Sequence, residues 1–66
     1  MLLRKSVKVG FALKGGNQQL LAMHIDRSEA TLSKYMNGKT VPSFNTVLSI
    51  CEYFKVPMSD FCKWGE

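Results

Sequence analysis

Apolar residues recur at helical spacing in short runs along the chain, each bounded by a residue that starts or stops a helix. In "LLRKSVKVGFALK" (residues 2–14), Leu3, Val7 and Phe11 stand four apart, with Arg4, Lys5 and Lys8 off that line. This predicts an amphipathic first helix, weakened in the middle by Gly10. "GGN" at 15–17 breaks the pattern, Asn17 is a suitable N-cap, and "QQLLAMHI" predicts a second helix with Leu20, Leu21 and Ile25 on its inner edge. "DRS" at 26–28 leaves room only for a sharp turn, and Asp26 is a residue type that tolerates left-handed backbone. Ser28 then caps a third helix over 29–36, with Leu32, Tyr35 and Met36 facing in and Asn37-Gly38 closing it. After the loop "KTVP", Ser43 caps "FNTVLSICEYF", in which Phe44, Val47, Leu48, Cys51 and Phe54 mark an inner face. "KVP" ends that helix, and "MSDFCKW" forms one or two closing turns. No alternating stretch is long enough for a strand. The expected fold class is therefore all-α: a compact bundle of about five short helices forming a single domain over 1–66.

Within this pattern the second and third helices, joined by a very short turn, have the spacing of a helix-turn-helix, whose second helix can enter a DNA major groove. Ala22 falls where the two helices cross, and only a small side chain fits there. Asp26 sits in the turn four residues on, and Leu32, six further, locks the second helix onto the first.

Charge sharpens the picture. Residues 1–40 carry seven basic side chains (Arg4, Lys5, Lys8, Lys14, Arg27, Lys34 and Lys39) against Asp26 and Glu29. Residues 41–66 carry Lys55 and Lys63 against Glu52, Asp60 and Glu66. A basic front and a near-neutral back suit a polyanion on one side. The chain has one histidine, His24, and two cysteines, Cys51 and Cys62, with no CxxC, so no metal set is expected. Cys51 lies in an apolar run and reads as a core residue. His24 reads as a surface or half-buried helix residue, and Ser28 is committed to capping, so no catalytic group is expected and the chain is not read as an enzyme. "GGNQ" lacks the lysine and spacing of a phosphate loop. The amino terminus has no secretory apolar stretch and the chain no membrane span, so a cytoplasmic location is expected. Neither a cofactor nor a small-molecule ligand is implied.

Residues 17–61, "NQQLLAMHIDRSEATLSKYMNGKTVPSFNTVLSICEYFKVPMSDF", resemble the DNA-binding domain of the phage Cro and CI repressors, the XRE or lambda-repressor-like helix-turn-helix family. The resemblance rests on Gln18 opening the second helix, Leu21-Ala22, Ser28 and Thr31, Asn37-Gly38-Lys39 followed by Pro42-Ser43, and Val56 in the turn into the fifth helix. It implies a five-helix bundle acting as a dimer on a near-palindromic operator in double-stranded DNA. It also implies that Gln18, Thr31, Asn37, Lys39, Thr40 and Asn45 hold the DNA backbone, and that Ser28, Glu29, Ala30, Ser33 and Lys34 read bases, with Ser33 and Thr31 able to reach either target. Three positions depart from the family pattern. Asp26 replaces the turn glycine, Gly16 stands in place of an apolar residue, and Phe11 and Met36 occupy the places of a buried Arg–Glu pair. Lys34 could equally grip a phosphate, and Glu29 could equally serve the helix dipole. Met58, Phe61 and Trp64, spaced three apart in "MSDFCKWGE", present more apolar surface than so short a tail is expected to hide, and so predict a homodimer contact. The competing function is an antitoxin-like or other protein-binding module on the same fold.

Overall fold

The computed structural model describes residues 2–66. It contains five helices: α1 Leu3–Lys14, α2 Gln18–His24, α3 Glu29–Met36, α4 Phe44–Phe54 and α5 Met58–Trp64. Among the described residues there is no strand, and the helix boundaries fall within one residue of those the sequence predicts. The principal helix contacts close into a ring in which α1 meets α5 and α3, α2 meets α3 and α4, and α4 meets α5. That ring encloses a core of Val7, Leu21, Ala22, Ile25, Leu32, Ile50, Cys51, Phe54 and Phe61.

The short helices are held at both ends by local chemistry. Asn17 Oδ1 accepts the Leu20 N–H at 2.9 Å, and the Ser28 and Ser43 hydroxyls accept the N–H groups of Thr31 (3.1 Å) and Thr46 (3.2 Å). Each such cap contributes about 1 kcal/mol. At the other ends, Arg27 N–H bonds to the Ala22 carbonyl at 3.0 Å, Lys39 N–H to Lys34 at 2.9 Å, and Val56 N–H to Cys51 at 3.2 Å. Each of these closures needs one left-handed residue: Asp26 (φ 58°), Gly38 (φ 73°) and Lys55 (φ 58°). Asp26 tolerates that backbone, as its residue type suggests; Lys55 does not do so readily. Left-handed backbone costs an ordinary side chain roughly 1–2 kcal/mol, so Lys55→Gly should stabilise the domain by about 1 kcal/mol and raise its melting temperature by about 4–8 °C. An unchanged or lower melting temperature would mean that the greater unfolded-state freedom of glycine cancels the gain.

Phe54 is the hub of the core. Around its ring lie Tyr53 (centroid separation 5.1 Å), Phe11 (5.6 Å), Trp64 (5.9 Å) and Phe61 (6.2 Å). Gly10, the weak point of α1 by propensity, lies directly over this ring: a Cβ there would come within 2.6–2.8 Å of three Phe54 ring atoms. The other rings leave Phe54 no room to yield. Gly10→Ala should therefore destabilise by about 1–2 kcal/mol, overpacking outweighing a helix-propensity gain of about 1 kcal/mol. Chemical denaturation of the two forms decides this, and a more stable alanine variant would show that the ring can move. Beside Gly10, the fully buried Ser6 donates to the Phe61 carbonyl at 2.9 Å. That satisfies an acceptor in the last turn of α5, whose Gly65 N–H turns instead to Cys62.

Several side chains depart from their expected positions. Leu20 (49% exposed), Phe44 (69%) and Leu48 (36%) lie outside the core. On α2 the buried stripe is Leu21, Ala22 and Ile25, which leaves Leu20 on the rim. On α4 the stripe is rotated toward Thr46 and Ile50, both buried, and away from Leu48. Phe61, expected at a dimer contact, is fully buried, because the α1·α5 and α4·α5 contacts fold the tail onto its own domain. Trp64 sits half-buried with its ring edge-on to Phe54 and Phe61, and Met58 is half-buried with its sulfur 3.9 Å from the Cys51 thiol. Phe11 meets Phe54, and Met36, half-buried against the same core, also lines a groove beside α1. Burial, and after it the nearby Cys62 thiol, push the Cys51 thiol above its ordinary range, so it stays protonated as a core residue.

Candidate nucleic-acid interface

The turn between α2 and α3 sets the geometry. Ala22, 2% exposed, lets the two helices approach, and Leu32, with no exposed surface, pins α3 from beneath. The left-handed Asp26 redirects the chain within four residues, and Arg27 donates from its guanidinium to the Asp26 carbonyl at 2.9 Å. A helix of eight residues is about 12 Å long, and the major groove is about 12 Å wide, so α3 can lie in it with only its inner edge held by protein.

The outer face of α3 carries the residues implied to read bases. Ser28, Glu29, Ala30 and Lys34 are exposed, and Ser33 and Thr31 are partly so. Their chemical freedom differs. The Ser28 hydroxyl donates to Thr31 Oγ1 at 3.0 Å while accepting from the Thr31 N–H. Its single proton is thus engaged in capping, and the Thr31 hydroxyl keeps its own proton for an outside acceptor. Ser33 Oγ accepts from Asn37 Nδ2 at 3.4 Å. Among the described residues, neither Glu29 nor Lys34 forms a side-chain hydrogen bond, so an acceptor, the Ala30 methyl group and a cation are displayed on the outer surface of α3.

The residues implied to hold the backbone lie around this face. Gln18 is half-buried at the start of α2 and donates to the Glu29 carbonyl at 3.4 Å, which places its amide beside the first turn of α3. Asn37, Lys39 and Thr40 are exposed where α3 ends and the chain turns toward α4, and Asn45 is exposed in the first turn of α4. Helix amino-terminal amides and short polar side chains of this kind bind phosphate without reading sequence. Arg27, not singled out from the sequence, is exposed in the turn immediately before α3; a cation inside the turn segment was the available signal.

Away from this surface, His24 is exposed and its ring packs edge-on to Tyr53 at 5.5 Å. Tyr53 also accounts for Gly16: a Cβ at that position would lie 2.0 Å from the Tyr53 hydroxyl. The tyrosine takes the space of an apolar side chain there. Among the described residues, no three His, Cys, Asp or Glu side chains gather as a metal site, and no helix is long and apolar enough to cross a membrane.

A protein-family model described as helix-turn-helix matches residues 12–61, from the end of α1 to the buried Phe61. No curated protein and no solved structure matches the chain.

Proposed function

The chain belongs to the XRE-type helix-turn-helix family and is a DNA-binding transcription regulator; from that premise we propose that it is a small repressor of the Cro and CI type, bound as a homodimer to a near-palindromic operator. The observation that carries this reading is the outer face of α3. Glu29, Ala30 and Lys34 stand exposed on the second helix of the motif, beyond a tight turn and ringed by polar helix ends. In this reading α3 lies in the major groove, Glu29 accepts from cytosine N4, Ala30 offers its methyl to thymine, and Lys34 donates to guanine or to a phosphate. Gln18, Thr31, Asn37, Lys39, Thr40 and Asn45 fix the register on the backbone.

The two-fold contact draws on the open parts of Met58 and Trp64. It also draws on Phe44 and Leu48, an exposed apolar pair one turn apart on α4. A symmetric pair of α3 helices then sits about 34 Å apart, one turn of DNA. Footprinting on the DNA that flanks the coding sequence tests this reading. Two protected patches on one face of the duplex, one turn apart, with weaker protection of an isolated half-site, are expected. Protection that follows no sequence, or equal affinity for half-site and full site, would contradict the dimeric repressor.

A further inference from the structure

On the flank of α1 that faces the α3–α4 connection lies a groove of about 810 Å³, and its lining falls into two kinds of residue. The floor and mouth are apolar, with Val9, Met36, Val41 and Leu2 among them. Val41 is 88% exposed and Leu2 67%, so apolar side chains stand in water at the entrance. One rim is cationic: Arg4 and Lys8, both exposed, lie one helical turn apart, with Lys5 between them turned to the main-chain oxygen of Glu66. Among the described residues, no Asp or Glu lines the groove.

We propose that this groove seats the apolar face of an acidic amphipathic helix from a partner protein, with carboxylates one turn apart on that helix pairing with Arg4 and Lys8. The basic rim alone would suit DNA phosphate, but phosphate gains nothing from Met36 and Val41. An apolar strip flanked by carboxylates uses both halves of the lining, in the helix-in-groove mode. A second copy of this chain does not supply the match, since none of its helices carries two carboxylates: Glu29 on α3, Glu52 on α4 and Asp60 on α5 stand alone. The groove also contains Asn37 and Thr40, which the proposed DNA complex uses on the backbone. Occupancy should therefore compete with operator binding, and this last consequence rests on the function proposed above.

The test uses a synthetic peptide with leucines at i, i+3, i+4 and i+7 flanked by glutamates, and a scrambled peptide of the same composition. Binding is followed by fluorescence anisotropy without DNA, and located by methyl chemical shifts of Val9, Met36 and Val41. The patterned peptide should bind and shift those methyls, and Val41→Asp or Lys8→Glu should weaken it by about tenfold or more. Leu13→Asp, at an exposed leucine on α1 outside the groove, should leave it unchanged, with helical circular dichroism confirming that each variant folds. Equal binding of the scrambled peptide, shifts confined to another surface, or concentration-dependent shifts of the same methyls without peptide would overturn the proposal. Competition is then read on operator DNA. Displacement supports the regulatory consequence, and simultaneous binding of peptide and DNA overturns that consequence while the docking site stands.

Discussion

Replacing Phe54 with alanine is expected to remove a large share of the protein's folding stability, about a third or more of it. Truncating a buried phenylalanine costs about 3–5 kcal/mol, because the lost transfer energy is compounded by the cavity left behind. A domain of this size holds only about 3–10 kcal/mol in total, at about 0.05–0.15 kcal/mol per residue. The position is unusually exacting. Four aromatic rings lie around Phe54, and Gly10 above it has no side chain with which to fill the void. Phe54→Leu should fall between the two and remain folded. Urea unfolding of all three forms measures this. A Phe54→Ala protein within about 1 kcal/mol of the parent would mean that the rings collapse into the space and that the core is less constrained than its packing implies.

The affinity for duplex DNA should fall by about a hundredfold between about 50 mM and about 200 mM salt, if Lys34 and Lys39 from both protomers displace counterions. Four neutralised phosphates give a slope near −3.6 in log affinity against log salt, at about −0.9 per contact. Lys34→Ala then separates two roles for that residue. A phosphate contact predicts uniform weakening across sequences and a slope shallower by about 2 for the dimer; a guanine contact predicts loss at particular base pairs. An affinity indifferent to salt would exclude a phosphate-dominated complex and favour a surface built for a protein partner.

Much of this architecture is legible in the sequence because caps, turns and helical period are local. Asn17, Ser28 and Ser43 announce three helix starts, and Ala22, Asp26 and Leu32 at their spacing announce the motif. What is not legible depends on which neighbours close around a helix. Val47, Cys51 and Phe54 fit two apolar stripes on α4, one running through Leu48 and the other through Ile50. Only the packing of α2 and α5 selects the second. Phe61 looks like a surface anchor in a short tail until α5 folds back between α1 and α4. The left-handed Lys55 gives no warning at all, since nothing in the residue type favours that backbone. At the candidate interface, the face of α3 follows from period alone. The capture of the Ser28 proton by Thr31 and the groove beside α1 needed the atoms in place.

In the proposed complex α3 reads sequence rather than merely gripping a polyanion, and Glu29 is the sharpest test of that role. A carboxylate on the leading turn repels phosphate, so a helix that only held the backbone would gain nothing from it beyond the dipole contribution of roughly 0.3–1 kcal/mol. Duplexes selected from a randomised pool by the parent protein and by Glu29→Ala answer the question directly. The expected result is a two-fold-symmetric preference for the parent. The variant should keep that preference except at one base pair per half-site, where discrimination falls by about 1–3 kcal/mol, while its nonspecific affinity holds or rises. An identical preference profile for the two proteins, or no enriched sequence for either, would contradict the account and leave Glu29 as a partner of the helix dipole alone.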